Sequence, residues 1–398
     1  MRGSYYCKNG ALPRFYNYAL IRNMTHHMTA SIIIISLFIA IAVLFGLHYF
    51  LYFSISSFFS ISSQALKVFL ISSFSFLGAS FFLSTLLARW RENLFTRGFY
   101  FFSGFWLGLI TNLLIAIIIV WLIIWIGNLF GTSPSRAILA IVFFGLAFLV
   151  SIYGSWSSYN PKIKKITVKI PNLTENWKGK KIVQLSDMHL GHIYREDFVE
   201  KVVKEVNLIN PELVLITGDL FDGMDGELAN IISPIGEIVA KKGIYFVTGN
   251  HETYLGLSEV FRVLQKTKVN VLKDEVVNID GLKLIGINYP VRGEDKNIVA
   301  TLNSLKKDFY GAPNILMYHS PVNIEQIKNS GVNLELCGHT HNGQLFPLGL
   351  ITKMIYSGYD YGLFQMGSYT LYVTNGVGTW GPPMRIGNAP EIVEITLQ

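Results

Sequence analysis

The apolar residues of this chain are distributed in two different ways. Up to about Gly154 they form long, nearly unbroken runs, and after Tyr159 they come in short runs separated by polar clusters. Four of the long runs are roughly Ala30–Phe53, Ala65–Leu87, Phe101–Trp125 and Ala137–Tyr153. A helix needs roughly 20 such residues to cross a bilayer, so the pattern predicts four transmembrane helices, the fourth being the shortest. The first run is too long for the core of a cleaved signal peptide, and three more spans follow it. Beyond Tyr159 the runs "KIVQLSD", "LVLITGD", "IYFVTGN", "LKLIGIN", "NILMYHS", "NLELCGH", "YTLYVTN" and "EIVEITL" read as strands. Amphipathic stretches such as "REDFVEKVVKEVNLIN", "ELANIISPIGEIVAKKG" and "LSEVFRVLQKT" lie between the early ones and read as helices. Strand–helix alternation predicts an α/β domain, and the continuously apolar strands predict sheets buried on both faces. The stretch from Tyr159 to Gln398 is long enough for one domain with a sizeable core.

Charge sharpens the division. The chain has 398 residues, 51% of them hydrophobic, and a net charge of +7. Nine Lys and Arg residues and a single acid, Glu92, occur up to Gly154, so the positive balance belongs to the membrane half and does not indicate nucleic-acid binding. Arg2, Lys8, Arg14 and Arg22 precede the first span, and Arg89, Arg91 and Arg97 separate the second from the third. Lys162, Lys164, Lys165 and Lys169 follow the fourth, whereas "SISSFFSISSQ" is uncharged and "GNLFGTSPSR" holds only Arg136. By the positive-inside rule the N-terminus, the middle loop and everything after Gly154 face the cytoplasm. Trp90, Trp106, Trp121 and Trp125 read as interfacial anchors. No carboxylate lies inside a span, which argues against an ion-coupled transporter, and the sequence offers no metal-ligand set around His26, His27 and His48. With only Cys7 and Cys337 there is no disulfide framework, and a reducing compartment fits.

The chemistry sits just past the predicted strands. "IVQLSDMH" ends in Asp187 and His189, and "LVLITGDLFD" in Asp219 and Asp222. "IYFVTGNHE" ends in Asn250, His251 and Glu252, "NILMYHS" in His319, and "NLELCGHTH" in His339 and His341. Ligand sites in α/β sheets form at the C-terminal ends of strands. Carboxylates mixed with imidazoles suit divalent transition metals. Two metals would be held best by one bridging carboxylate. Asp219 is the natural bridge, because Gly218 before it allows a tight turn. In an extended segment residues two apart point the same way, so one short loop carrying His339 and His341 can reach both ions. Cys337 reads as a small interior hydrophobe.

The series D-x-H, G-D-x-x-D, G-N-H-E, H and G-H-x-H resembles the calcineurin-like metallophosphoesterase superfamily, over about Ile166 to Leu397. Within it, "GHTHNGQLFPLG" and "GVGTWGPPMRIGNAPEIVEITL" look like the bacterial membrane-associated YkuE/YaeI-like branch, where a glycine commonly stands in the place of Asn342. The apolar runs give an N-terminal all-α transmembrane bundle of four helices, and the resemblance implies an α/β metallophosphoesterase domain behind it, a layered β-sandwich flanked by helices. The implied divisions are a cytoplasmic segment 1–29, a transmembrane region 30–154 and a catalytic domain 159–398. It also implies two divalent ions, with Mn, Fe, Zn and Ni all compatible. Asp187, His189, Asp219 and His341 would hold one, and Asp219, Asn250, His319 and His339 the other. His251 would be the catalytic histidine. Asp222, counted with it in the catalytic set, and Glu252 would orient His251 or the ligand histidines. Metal-activated hydroxide would then attack phosphorus in line.

The expected protein is therefore a membrane-anchored phosphoesterase of the bacterial inner or plasma membrane, with its catalytic domain cytoplasmic. It would cleave a phosphodiester or pyrophosphate bond. The apolar, Gly- and Pro-broken stretch "LFPLGLITKMIYSGYDYGLFQMG" would make an apolar lip beside the histidines. That favours a lipid-linked substrate such as a UDP-diacylglucosamine, with soluble nucleotides as the alternative. Arg385, Lys353 and Arg292 are read as phosphate contacts or surface charge, and "GVGTWGPP" as a backbone cradle or a tight turn. A catalytically silent scaffold or sensor would be expected to lack ligands, and none is missing. No nucleic-acid partner is expected, and the sequence leaves the oligomeric state open.

Overall fold

The computed structural model describes residues 14–398 except 225, 292, 293 and 295, with side chains from 35 onward except 37. The charges at Arg2, Lys8 and Arg292, the side chains of Arg14, Arg22, His26 and His27, and Cys7 lie outside the described residues. Four helices come first: α1 (Arg14–Phe58), α2 (Gln64–Trp90), α3 (Leu94–Leu129) and α4 (Arg136–Ser158). Each contains a stretch long and apolar enough to cross a membrane, Phe38–Phe58 in α1 and the whole length of the other three. The chain divides into a unit ending at Ala79, within α2, and a unit Ser80–Gln398. In the first unit the buried ring of His48 bonds the Leu44 carbonyl one helical turn back at 2.8 Å, so it serves its own helix.

In the second unit, sequence chemistry sets the helix starts. Asn93 and Thr96 form a capping box at the head of α3, each side chain bonding the other's backbone N–H at 3.0 Å. Beyond α4 the chain continues β1 (Lys162–Val168), β2 (Lys181–Leu185), α5 (Glu196–Ile209), β3 (Leu213–Thr217), α6 (Leu228–Ile232) and β4 (Ile244–Val247). Next come α7 (Asn250–Leu255), α8 (Leu257–Leu264), β5 (Val269–Val271), β6 (Glu275–Ile279), β7 (Leu282–Gly286) and α9 (Ile298–Phe309). The last elements are β8 (Asn314–Met317), α10 (Ile324–Lys328), β9 (Leu334–Cys337), α11 (Gly349–Ile355), β10 (Gly362–Met366), β11 (Tyr369–Val373) and β12 (Glu391–Leu397). All eight sequence-predicted strands form. The stretch expected as one helix after Glu227 breaks at Ser233 into a 3-10 turn, because Pro234 has no N–H to continue the α-helical ladder.

The strands make two six-stranded sheets, ordered β1-β12-β2-β3-β4-β5 and β10-β11-β9-β8-β7-β6. β2 to β5 run parallel, as do β7, β8, β9 and β11, with antiparallel partners toward the edges. The sheets face each other across a core that includes Val168, Leu215, Val247, Leu284, Met317 and Val393, all fully buried. On the outer face of the first sheet lie α5, α6 and α8, packed through Val202, Val206, Ile231 and Val260. On the outer face of the second lie α9 and α10, through Leu302 and Ile327. β3, β8 and β9 are buried along their whole length, which is why they read as continuous apolar runs rather than alternating ones.

The α/β part docks on α3 and α4 through glycines. A Cβ at Gly108 would lie 2.9 Å from Met384 Cε, and one at Gly154 would lie 2.7 Å from Ile386 Cγ1. The Arg385 backbone N–H donates to the Gly154 carbonyl at 2.9 Å. Small residues on the two helices thus let the loop Gly381–Ile386 approach backbone to backbone. Glu92, the lone acid of the membrane half, pairs with Arg195 on one side and Arg97 on the other.

Candidate metal centre

β2, β3 and β4 are neighbours in one sheet, and β8 and β9 in the other. Their C-terminal ends meet, and the polar residues just past them converge. The glycines that precede the site residues have a common cause. A Cβ on Gly218 would lie 2.6 Å from His319 Nδ1, and one on Gly249 or Gly338 would collide with the Asp219 or Asp187 carboxylate. Each glycine is the floor over which a neighbouring strand's polar side chain passes.

Two groups result. His319 Nε2 lies 3.1 Å from Asp219 Oδ2, 3.2 Å from Asn250 Oδ1 and 3.1 Å from His339 Nδ1. Its other nitrogen donates to the Thr217 carbonyl at 2.8 Å, so Nε2 is the nitrogen aimed into the group. Asn250 donates its amide to Tyr254 Oη at 3.4 Å, which turns its oxygen inward. In the second group His189 Nε2 faces His341 Nε2 at 3.1 Å, and His341 Nε2 lies 3.4 Å from Asp187 Oδ1. Asp219 Oδ2 is 3.9 Å from His189 Nε2, so the same oxygen looks toward both groups. His251 and Asp222 gather around His189 in a third cluster.

Electrostatics fit cation ligation. Burial would raise Asp219, but His319, His251 and His189 overcome it and hold the carboxyl well below its usual range. Burial lowers His189, His339 (to about 3) and His341, the last pushed further by the Arg385 guanidinium, so these rings are neutral. His189 Nε2 and His341 Nε2 lie 3.1 Å apart with the Arg385 guanidinium on His341 Nδ1, so the space between the two nitrogens takes either the His341 Nε2 proton or a cation that replaces it. The buried His189 Nδ1 has no closer acceptor than Asp222 Oδ1 at 3.6 Å, the arrangement by which a carboxylate orients a ligating imidazole. The residues present therefore fit divalent metal.

Several sequence expectations change in detail. His339 and His341 do not lie in an extended segment. Both have left-handed backbones, with φ of 73° and 50°, and His341 opens a 3-10 turn. Asp187, His189 and Asp219 share this conformation, at φ of 53°, 48° and 49°. It costs about 1–2 kcal/mol per non-glycine residue, so the site is held by strained turns rather than by strand pleat. Asn342 also sits there, at φ 48°; asparagine tolerates this region best after glycine, so the backbone shape expected of a glycine is kept. Glu252 contacts no imidazole. Its carboxylate accepts the backbone N–H groups of Asp219 (3.0 Å), Phe221 (3.0 Å) and Gly249 (2.6 Å), clamping the loop that carries Asp219. Asp222 orients His251 through its carbonyl, which accepts from Nδ1 at 2.9 Å, while its carboxylate faces His189.

Arg385 is neither surface charge nor a phosphate contact. It is 1% exposed, and its guanidinium lies 3.0 Å from His341 Nδ1 and donates to the His341 carbonyl at 2.9 Å. The "GVGTWGPP" stretch lines the Asp187 turn, with Val377 N–H on the Ser186 carbonyl (2.9 Å) and Gly378 N–H on the Asp187 carbonyl (2.8 Å). Those amides are spent on backbone and do not form a free cradle. Cys337 is buried as expected, with Sγ 3.3 Å from the buried Glu335 carboxyl. Sequence reasoning missed Tyr100 of α3, whose hydroxyl is 3.5 Å from Asp222 Oδ2, because an aromatic in an apolar span reads only as a membrane residue.

A cavity of about 400 Å³ opens directly on His339 and His341. Its walls include Leu345, Leu348, Ile351, Ile355 and Trp380. Every residue of α11 is at least partly exposed, Leu350 by 62% and Met354 by 73%, so the apolar lip is present beside the histidines.

The calcineurin-like phosphoesterase family matches residues 180–343 of the chain. An uncharacterised metallophosphoesterase of Campylobacter jejuni is 34% identical over 270 residues, 66% of this chain and 71% of that protein. A transmembrane protein with metallophosphoesterase domain from Danio rerio is 31% identical over 286 residues, 67% of this chain and 63% of that protein. The Bacillus subtilis metallophosphoesterase YkuE is 29% identical over 251 residues, 58% of this chain and 84% of that protein.

Proposed function

The chain belongs to the calcineurin-like phosphoesterase family, and from that premise we propose a membrane-anchored phosphoesterase that uses two divalent metal ions and draws its substrate from the bilayer. The family makes it a metal-dependent phosphoric ester hydrolase, and its apolar helices make it a membrane protein. The observation that carries the two-metal reading is the pair of facing imidazole sets, His189–His341 and His319–His339, with one Asp219 oxygen directed at both. Asp187, His189, Asp219 and His341 would hold one ion, and Asp219, Asn250, His319 and His339 the other. Bound divalent metal supplies polarisation of the phosphoryl oxygens and of the attacking water. Asp222 fixes the His251 ring by taking its Nδ1 proton into a hydrogen bond, which leaves Nε2 to serve the leaving oxygen. Trp380, a wall of the cavity, stands with its ring 6.2 Å from the His251 ring.

Chelation tests this reading. Purified full-length protein in detergent should hydrolyse an aryl phosphodiester, lose that activity on EDTA treatment and regain it with Mn²⁺. Turnover that persists undiminished in apoprotein would sink the metal mechanism.

The apolar cavity and the exposed Leu350, Met354 and Ile355 of α11 support a substrate with a phosphate or pyrophosphate head and acyl tails. A UDP-diacylglucosamine fits that description. Arg89, Arg91 and Arg97, and Lys162, Lys164, Lys165 and Lys169, flank the spans on one side and support a cytoplasmic catalytic domain in a bacterial inner membrane. In this arrangement residues 1–29 face the cytoplasm, 30–154 anchor and 159–398 catalyse. Reporter fusions after Ser60 and after Gln398 should then report opposite sides of the membrane, and the same side for both would overturn the orientation.

A further inference from the structure

Away from the metal centre, α3 and α4 pack with small residues at their contact: Ala116 and Ala147 are 4% and 7% exposed. Beside them a groove of about 310 Å³ runs along the two helices, walled by Ile115, Ile119, Phe143 and Val150 and closed at one end by Phe346 and Ile386 of the catalytic domain. Its span on α3, Asn112 to Ile119, covers roughly 10 Å at the helical rise. The polar residue in it, Asn112, is already engaged, donating to Ser151 Oγ at 2.8 Å, so the groove offers an apolar occupant no unmet polar group.

Phe346 and Ile386 are also walls of a second cavity, of about 320 Å³, whose lining mixes apolar with polar side chains. There Lys353, Asn342, Asn388 and Tyr361 line the space, with Asp360 partly taken up by Thr352 Oγ1 at 3.4 Å. The Phe346 N–H donates to the Ile386 carbonyl at 2.9 Å, which ties the two backbones together where the groove and the pocket meet, while the Phe346 side chain is 58% exposed. Leu345 lines the cavity on the metal side, and the next residue, Phe346, lines these two. The pocket and the groove therefore adjoin at Phe346 and Ile386, and neither shares a lining residue with the cavity at the histidines.

An apolar groove in membrane-spanning helices that meets a pocket of mixed lining with one exposed lysine has the shape and polarity of an amphiphile. We infer that the α3–α4 groove and the pocket beside Lys353 are one binding site for an anionic membrane lipid, its acyl chain along Ala116 and Ala147 and its head against Lys353. The site does not depend on what the metal centre hydrolyses.

Full-length protein in detergent is labelled with a phosphatidylglycerol carrying a photoactivatable group on its acyl chain, and the attachment sites are mapped by mass spectrometry. Label is expected within Asn112–Ile119 and Phe143–Val150, about fivefold above that from the matching phosphatidylcholine, the preference one lysine at a membrane surface confers. Lys353→Gln should erase the preference, and Ala147→Phe should remove the groove label. Ile141→Phe, on an exposed face of α4, should leave the label in place and shows that a bulky residue in this helix is tolerated. Label spread evenly over exposed positions such as Leu122 and Ile141 means ordinary surrounding lipid and overturns the site. So does a head-group preference that survives Lys353→Gln. Mn²⁺-dependent hydrolysis of the aryl phosphodiester, measured on the same samples, reports separately on the metal centre.

Discussion

Asp219→Ala should lower hydrolysis of a phosphodiester by on the order of 10³-fold, equivalent to about 4 kcal/mol of transition-state stabilisation. The reason is position. One oxygen of this carboxylate lies 3.1 Å from His319 Nε2 and 3.9 Å from His189 Nε2, the only place from which one ligand addresses both clusters among the described residues. The other oxygen is tied down by the His251 backbone N–H at 2.9 Å. Alanine thus removes the shared ligand and also the acceptor that fixes the turn bearing His251. The expected signature is more than lost turnover. Metal bound per chain should fall, and the rise in melting temperature on adding Mn²⁺ should shrink, since ligand binding stabilises only what it binds. Asp219→Asn keeps the volume and an acceptor but loses the charge, and should lie between the two. If Asp219→Ala binds metal at wild-type stoichiometry, Asp219 is not the bridge.

How far the sequence leads can be judged from particular residues. The five strand ends were readable because each follows a buried apolar run and then breaks into Asp, Asn or His, three of them (Asp219, Asn250 and His339) directly behind a glycine. Those glycines have a packing cause that the sequence hides: Gly218 lies under His319, and Gly249 under Asp219. β1 was missed because "KIKKITV" is an edge strand with its lysines in solvent, so it lacks the apolar pattern of its neighbours. β5 is only three residues long. The left-handed turns at Asp187, His189, Asp219, His339 and His341 were unreadable, since Asp and His occur in many conformations and only tertiary packing forces this one. Arg385 misled for a related reason. A lone arginine reads as surface, and it is buried because the Gly378 and Asn375 carbonyls of its own loop and the His341 carbonyl, 44 residues away, converge on it. Tyr100 comes from a membrane helix, and no local pattern links it to Asp222.

His251→Ala should cost about 10²–10⁴-fold in turnover when the leaving group is an alkoxide, the range general acids contribute. The loss should be far smaller for a nitrophenyl ester, whose leaving group is already a weak base. The structure makes the asymmetry a test of role. Nδ1 is committed to the Asp222 carbonyl at 2.9 Å and must carry a proton there, so Nε2 can donate only when the ring is fully protonated. Burial and the neighbouring His189 lower the His251 pKa below the usual histidine value, so the donating form grows as pH falls below neutrality. In the wild type the ratio of alkyl to aryl turnover should therefore rise toward acid, and the ratio cancels any pH effect on metal or water common to both substrates. In His251→Ala the ratio should be flat across the same range, with metal content unchanged because His251 sits beside His189 rather than between the facing ligand nitrogens. An equal loss with both esters would assign His251 to holding the phosphoryl oxygens rather than to protonating the leaving group.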